Sequence, residues 1–276
     1  MDFTKEVLVF THVPKTGGQS LNRALRAALG PERCVRLRMQ KIENVRTSRL
    51  AELGVEAQVA GRRALALIRG GHHLLPVGYR GDLSSVAMFH GHIRVAEEPR
   101  TGRRPVYIAV VREPIDRFLS YFYYRRDQLP ALMNAKGRKS HPLLNTKGEP
   151  PADPLEFLTL LVRSGSRGWR NAQCRYFSAR GDFDSARRVI EERDVLVAPM
   201  RRLHEFSERI SSDLGLPKLQ LDHVNKGQSR AQAADISRDD AQTIAAHFAE
   251  DIKLYRYVED RFASHPSSAS AAQAKS

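Results

Sequence analysis

Apolar residues cluster in three short runs that predict buried strands. The runs cover residues 7–10 (VLVF), 106–111 (VYIAVV) and 194–198 (DVLVA). An unbroken apolar run indicates a strand that is covered on both faces, as in a parallel sheet. After each of the first two runs comes a turn and then apolar residues at helical spacing. The pattern therefore predicts an α/β fold with a mostly parallel central sheet and helices on both faces.

The rest of the chain contains weaker patterns. Residues 86–92 (VAMFHGH) predict a short strand that ends in two histidines. Helical spacing of apolar residues predicts helices over residues 203–214 and, as one continuous helix, over residues 241–262. Residues 126–154 are polar and contain several Gly and Pro, which predicts a long irregular loop. We interpret this loop either as a flap over an acceptor site or as a passive surface loop.

Composition adds expectations about size, location and ligand. No linker divides the 276 residues, so we expect one domain over residues 1–263 and a disordered tail over residues 264–276. The sequence contains no signal-peptide pattern and no apolar run of ~18 residues, so we expect a cytoplasmic bacterial protein. The formal charge of +14 favours a polyanionic ligand, although a solvated basic surface would give the same charge.

The turn after the first strand has the composition of an anion-binding loop. Pro14 ends the strand, two glycines allow tight or left-handed backbone, and a helix N-terminus then faces the loop. Ser20 is placed either to cap this helix or to offer its hydroxyl to a ligand. The P-loop pattern has a lysine directly after its last glycine, whereas here Lys15 comes early and Gln19 stands in that place. This predicts a P-loop-like three-layer sandwich with a donor other than ATP; an ordinary strand-to-helix turn is the alternative.

Two histidines at the end of a predicted strand are candidates for acid–base chemistry. In an extended chain, residues i and i+2 project to the same side, so His90 and His92 would face one way with Gly91 between them. Ligands of α/β sheets bind at the carboxyl ends of the strands, which is where these residues are expected. We therefore interpret the pair as containing a general base, although buried histidines are more often structural.

The third candidate group follows the strand over residues 106–111. A Walker-type ATPase carries an aspartate near the end of this strand to organise Mg²⁺, but this chain carries Arg112. A cation favours direct contact with a phosphate, and Ser120, two turns into the next helix, could join it on the same anion. Several tyrosines follow, of which one or two could flank an acceptor; packing in the core is the alternative.

Three strings of the chain resemble one known family. PKTGGQS (residues 14–20), FHGH (89–92) and VVREPIDRFLSYFYY (110–124) resemble, in this order and spacing, carbohydrate sulfotransferases that use 3'-phosphoadenosine 5'-phosphosulfate (PAPS). The nearest branch is that of the heparan sulfate and uronyl 2-O-sulfotransferases. The resemblance implies PAPS-dependent transfer of a sulfuryl group to a hydroxyl of a carbohydrate or glycolipid, with adenosine 3',5'-bisphosphate as product and without a metal.

The resemblance also implies roles for individual residues. His92, with His90 beside it, would be the catalytic base, and Lys15 would neutralise charge on the departing phosphate. The loop that would hold the 5'-phosphosulfate comprises Lys15, Thr16, Gly17, Gly18, Gln19 and Ser20. The residues that would hold the 3'-phosphate and the rest of the nucleotide are Arg112, Ser120, Asn225, Lys226, Ser229 and Arg230.

Two other functions stay open at this point. An ATP-dependent P-loop kinase would require Mg²⁺ and would prefer ATP to a 3'-phosphorylated nucleotide. A non-enzymatic basic protein that binds nucleic acid would show binding whose salt dependence follows its Lys and Arg contacts. We favour the sulfotransferase because two phosphate-type turns follow two separate buried strands. The sequence does not identify the acceptor, the position sulfated or the oligomeric state.

Overall fold

The fold contains strands in the first half of the chain and mostly helices in the second half. The computed structural model describes residues 1–41, 72–76, 82–136, 141–165, 168–222 and 236–264. The strands are β1 (Glu6–Thr11), β2 (Cys34–Lys41), β3 (His72–Pro76), β4 (Met88–Gly91), β5 (Arg104–Val111) and β6 (Leu196–Pro199). The helices are α1 (Gly18–Leu29), α2 (Pro114–Lys136), α3 (Pro154–Arg163), α4 (Cys174–Phe177), α5 (Phe183–Glu192), α6 (Leu203–Leu214), α7 (Arg238–Ala245) and α8 (Ala249–Ser264).

Within these ranges, six strands form one sheet in the order β3-β2-β4-β1-β5-β6. The strands β2, β4, β1, β5 and β6 are parallel to their neighbours, and β3 pairs with β2 in the antiparallel sense at the edge. β1 lies between β4 and β5, so the carboxyl ends of these three strands meet at one edge of the sheet. This edge is where open α/β sheets bind their ligands.

Alternation of side chains along β1 divides the core between the two faces of the sheet. Val7 and Val9 pack with residues of α5 and α8 on one face, whereas Leu8 and Phe10 pack with α1 and α6 on the other. All four side chains are almost completely buried. Helices therefore cover both faces of a mostly parallel sheet, which confirms the predicted P-loop-like three-layer fold.

A third apolar cluster joins helices of the second half of the chain. Phe118 of α2 lies 5.7 Å from Phe157 of α3 and 5.6 Å from Phe248, measured between ring centroids. Trp169 and Ile244 of α7 complete this cluster. It fixes α2 to the domain by packing as well as by its connection to β5, so the helix that follows Arg112 is anchored along its length.

The loop predicted over residues 126–154 is wrong in its first part. α2 continues to Lys136, with Pro130 inside the helix. Leu129 is fully buried in the third apolar cluster, where it extends the apolar face begun by Phe118 and Phe122. Burial of this face stabilises the helix in spite of the backbone hydrogen bond that a proline removes. Residues 141–153, by contrast, lie outside helices and strands as predicted.

The single helix predicted over residues 241–262 is also wrong, because the structure has two helices with a break at residues 246–248. Ile244 and Phe248 pack in the third apolar cluster, whereas Leu254 and Val258 of α8 pack against the sheet. One straight helix cannot direct a single apolar face to both places, so the chain turns between them.

The C-terminal boundary predicted for the domain falls within one residue of the end of α8. α8 ends at Ser264, which was assigned to the tail, and residues 265–276 lie outside the described residues. None of the helices in the described ranges combines the length and the apolar character that crossing a membrane requires.

Candidate active site

The turn between β1 and α1 has an unusual backbone. Lys15 and Gly17 both have positive φ angles, 69° and 74°, and Gly17 is the N-cap of α1. Between them Thr16 is buried, and its hydroxyl donates a 2.8 Å hydrogen bond to the carbonyl of Val13, which ties the turn to the end of the strand. Alternation of this kind forms a concave arrangement of backbone N–H groups, which is the geometry of anion-binding nests.

The N-terminus of α1, as the structure describes it, has neither a side-chain cap nor an acidic residue. Gly17 contributes no side-chain cap, and the first turn contains no acidic side chain. Gln19 is exposed and Ser20 half-buried in this first turn. The prediction that Ser20 caps the helix is wrong, because the helix already begins at Gly18. The partial positive charge of the helix end is thus available to an external anion.

Gly18 is required by the packing of His12 on the loop. A Cβ atom at this position would lie 2.4 Å from Cδ2 of His12 and 3.2 Å from Cζ of Phe10. The two rings stack with centroids 5.6 Å apart and leave no room between them and the helix start. The glycine predicted to allow close approach of a ligand therefore also allows close approach of an imidazole of this chain.

We expect Gly18→Ala to displace His12 and the first turn of α1. Overpacking of this kind costs about 1–3 kcal/mol of unfolding free energy. Gly168→Ala is the matched control, because a Cβ there would meet nothing within 4 Å. Urea unfolding of both variants measures the difference, and equal stability of the two would contradict the packing argument.

His92 follows the end of β4 and has a defined tautomer. Its side chain is exposed, its Nδ1 lies 2.7 Å from the carbonyl oxygen of His12, and the two rings are 4.8 Å apart between centroids. A carbonyl can only accept, so Nδ1 of His92 carries the hydrogen. In the neutral ring Nε2 is then unprotonated and can accept a proton from a substrate. Of the two predicted histidines, this one has the geometry of a general base.

His90 differs from His92 in its surroundings. It lies inside β4 and is only 7% exposed. Burial lowers the pKa of its imidazole to about 4, and the positive charges of Arg26 and Arg36 act in the same direction. His90 is therefore neutral at pH 7, but its burial leaves it less accessible to an acceptor than His92.

Replacing His90 with glutamine is expected to make stability less sensitive to acid. Between the unfolded pKa near 6.5 and the folded pKa of about 4, the unfolded chain binds a proton that the folded chain does not. Stability therefore falls as the pH falls through this window. Between pH 7 and pH 4 the wild type should lose on the order of 3 kcal/mol more unfolding free energy than His90→Gln. Urea unfolding at both pH values tests this, and equal losses would contradict it.

His12 is a site residue that the sequence analysis missed. Burial, followed by the neighbouring His92 and His90, lowers the pKa of His12 to about 3. Its backbone N–H donates a 2.9 Å hydrogen bond to the carbonyl of Gly91, which joins the end of β1 to the end of β4. The available signal was its position directly after the first buried strand, at the edge where the strand ends meet.

Arg112 connects the second turn of the site to the first. It follows β5, and its Nη1 donates a 3.4 Å hydrogen bond to the carbonyl of Lys15. Burial lowers the pKa of its guanidinium, although an arginine stays charged at neutral pH. The structure therefore brings together the two turns that the sequence analysis treated as separate anion sites.

The backbone of Arg112 is held by a residue with no predicted role. The N–H of Arg112 donates to Oε1 of Gln173, and Nε2 of Gln173 donates to the carbonyl of Arg112, both at 2.8 Å. Gln173 is fully buried. Its sequence position, sixty-one residues from Arg112, gave no signal of this contact.

α2 contributes two further residues to this end of the sheet. Ser120 is half-buried in the second turn of the helix, and Tyr124 is exposed one turn later. Nζ of Lys15 lies 4.2 Å from the ring centroid of Tyr124, a cation–π contact that holds the ammonium near α2. One of the predicted flanking tyrosines thus lies at the loop predicted to bind an anion.

Part of the predicted site lies outside the described residues. This part comprises Asn225, Lys226, Ser229 and Arg230. Within the described ranges, no three His, Cys, Asp or Glu side chains come together as metal ligands would.

Comparison with known proteins identifies the family. A family model described as "Sulfotransferase family" matches residues 2–150, which contain β1, α1, the two histidines of the β4 end, Arg112 and Ser120. Heparan sulfate 2-O-sulfotransferase 1 of Cricetulus griseus is 26% identical over 135 residues, covering 47% of this chain and 33% of that protein. The proteins of the same name from Mus musculus and Homo sapiens are 40% and 38% identical over 53 residues, which cover 17% of this chain and 15% of each relative.

The chain thus spans about a third of the length of the hamster relative that it matches. The family match covers more than half of the chain and includes both predicted phosphate turns. This confirms the family resemblance drawn from the three strings, and the chain is similar to heparan sulfate 2-O-sulfotransferase 1. The chain belongs to the sulfotransferase family.

Proposed function

We propose that this protein transfers the sulfuryl group of PAPS to a hydroxyl of a carbohydrate acceptor, with His92 as general base. The observation that carries the proposal is the union of two anion-binding turns through the 3.4 Å contact between Arg112 and the carbonyl of Lys15. An exposed imidazole with an available Nε2 follows the strand on the other side of β1. One doubly phosphorylated donor would occupy both turns while an acceptor reaches the imidazole.

The residues present fit such a donor. The 5'-phosphosulfate would be held at the uncapped N-terminus of α1, where the positive-φ turn and the absence of acidic side chains favour an anion. The residues of this loop are Lys15, Thr16, Gly17, Gly18, Gln19 and Ser20. The 3'-phosphate would be held by Arg112 with Ser120. In the proposal, the remaining nucleotide contacts come from Asn225, Lys226, Ser229 and Arg230.

The chemistry assigned to the chain requires positioning and charge stabilisation. When bound, PAPS supplies an activated sulfuryl group with a phosphate as leaving group. Nε2 of His92 accepts the proton of the attacking hydroxyl, and the Nδ1 hydrogen bond to His12 keeps the ring in the tautomer that this step needs. The ammonium of Lys15, together with the N-terminus of α1, stabilises the negative charge that develops on the leaving phosphate.

The acceptor class is supported by the relatives, which are named for sulfation of heparan sulfate. A carbohydrate or glycolipid hydroxyl is the acceptor we propose for this chain. We also propose one catalytic domain over residues 1–263, since the core on one face of the sheet contains both Val7 and Val258. A cytoplasmic bacterial location and the absence of a nucleic-acid partner stay predictions from the sequence.

Calorimetry and product analysis test the proposal. Adenosine 3',5'-bisphosphate should bind more tightly than ATP with Mg²⁺, and labelled PAPS with a panel of sugars and glycolipids should give a product carrying added sulfate by mass spectrometry. Preference for ATP with Mg²⁺ would favour a P-loop kinase instead. Binding of nucleic acid with an affinity that falls steeply with salt, without binding of either nucleotide, would reject both enzyme functions.

A further inference from the structure

Gln173 makes an arrangement that packing alone does not explain. Its carboxamide is fully buried and forms two reciprocal 2.8 Å hydrogen bonds with the backbone of Arg112, one as acceptor and one as donor. The amide side chain offers both the acceptor and the donor that this geometry needs. The turn between β5 and α2 is thereby held as if by one rung of a β-ladder, directly at the residue assigned to the 3'-phosphate.

A buried carboxylate supports Gln173 from behind. Asp251 of α8 is fully buried, and its two oxygens accept hydrogen bonds from the backbone N–H groups of Gln173 (3.1 Å) and Cys174 (2.9 Å). Nη2 of Arg117, itself only 5% exposed, lies 4.0 Å from the same carboxylate and balances its charge. Asp251 therefore fixes the backbone of Gln173, and the side chain of Gln173 in turn fixes the backbone of Arg112.

The chain of contacts ends at the anion-binding loop. Arg112, fixed at its backbone by Gln173, donates from Nη1 to the carbonyl of Lys15. Contacts thus run from the core through Gln173 and Arg112 to the loop at the start of α1. A guanidinium whose backbone is clamped loses less freedom when it binds an anion, so a residue that never touches the ligand can set its affinity.

We propose that Gln173 is the positioning residue for recognition of the donor's 3'-phosphate, acting through Arg112. The inference rests on the proposed function, in which Arg112 binds that phosphate. It goes beyond it by assigning discrimination between 3'-phosphorylated and other adenine nucleotides to a buried amide that lies outside the family-matched residues 2–150.

The test compares two nucleotides that differ only in the 3'-phosphate. Calorimetry gives the affinities of adenosine 3',5'-bisphosphate and of adenosine 5'-monophosphate for the wild type and for Gln173→Leu. We expect an about tenfold loss of bisphosphate affinity from two lost hydrogen bonds to Arg112, with a much smaller loss of monophosphate affinity. Gln242→Leu, at an exposed position of α7, is the matched control and should alter neither affinity. Equal losses for both nucleotides, or no loss, would overturn the inference.

A second variant and a double-mutant cycle separate positioning from a general structural role. Gln173→Met keeps the approximate size and shape of the side chain but offers neither hydrogen bond to the Arg112 backbone, so it should show the same selective loss even where the leucine variant does not fold. In an Arg112→Ala background, the Gln173 substitution should cause no further loss of bisphosphate affinity. Additive losses would show that Gln173 acts independently of Arg112 and would overturn the inference.

The two proposals fail in different ways. A wild type that binds the bisphosphate no better than the monophosphate would reject the proposed function, because no 3'-phosphate site would exist. A wild type that prefers the bisphosphate, with the preference unchanged in both Gln173 variants, would reject the positioning role alone.

Discussion

The His92→Ala variant is expected to turn over about 10²- to 10⁴-fold more slowly than the wild type, the loss typical for removal of a general base. The imidazole is exposed beyond the end of β4, and its Nδ1–H is already committed to the carbonyl of His12. Only Nε2 is left for the acceptor hydroxyl. Because the two phosphate turns do not depend on this side chain, the affinity for adenosine 3',5'-bisphosphate should stay within about twofold of the wild type.

Steady-state kinetics with saturating PAPS and calorimetry with the bisphosphate separate the two effects. His204→Ala, at an exposed position of α6, is the matched control and should retain the wild-type kcat. His90→Ala should lower kcat less than His92→Ala does, because His90 is buried in the strand. A larger loss of kcat in His90→Ala would show that His90, and not His92, is the base. A parallel loss of bisphosphate affinity in His92→Ala would contradict the assignment of His92 as the base.

The elements that sequence analysis predicted well are those that carry their signal locally. β1 and β5 each contain a run of five consecutive buried residues, and the helices after them continue the apolar spacing. The loop between β1 and α1 was predicted because glycine allows left-handed backbone, and Gly17 adopts that conformation at the helix start. A single stretch of chain thus contained the strand, the turn and the helix of the proposed anion site.

The contacts that escaped prediction join residues far apart in the sequence. His92 and His12 are eighty residues apart, and Gln173 and Arg112 are sixty-one apart. Neither histidine at position 12 nor glutamine at position 173 belongs to a motif with a required spacing. Their roles follow only from the strand order, which brings the ends of β4, β1 and β5 together, and from the packing of α8 behind β5.

The two helix boundaries that were wrong have the same physical origin. Pro130 and the polar composition around it suggested a loop, but burial of Leu129 carries α2 through the proline. Conversely, the apolar spacing over residues 241–262 suggested one helix, but its residues belong to three different clusters. Tertiary packing determines both boundaries, and the pattern of apolar residues along the sequence does not show which cluster a residue joins.

Arg112→Ala is expected to weaken binding of adenosine 3',5'-bisphosphate about 10- to 100-fold, the range for loss of a hydrogen-bonded charge on an anion. Binding of adenosine 5'-monophosphate should change far less, since the N-terminus of α1 and Lys15 would still hold the 5'-phosphate. A small loss of affinity for the 5'-phosphate is expected as well, because the variant also removes the 3.4 Å hydrogen bond to the carbonyl of Lys15.

Calorimetry with both nucleotides on Arg112→Ala and Arg112→Lys distinguishes charge from geometry. Lysine keeps the positive charge but lacks the planar fork that reaches a phosphate and the Lys15 carbonyl together, so it should recover only part of the affinity. Arg163→Ala, at the exposed end of α3, is the matched control for loss of one positive charge and should bind as the wild type does. Wild-type bisphosphate affinity in Arg112→Ala would exclude Arg112 from the 3'-phosphate site. It would also remove the reason for proposing that one donor occupies both turns.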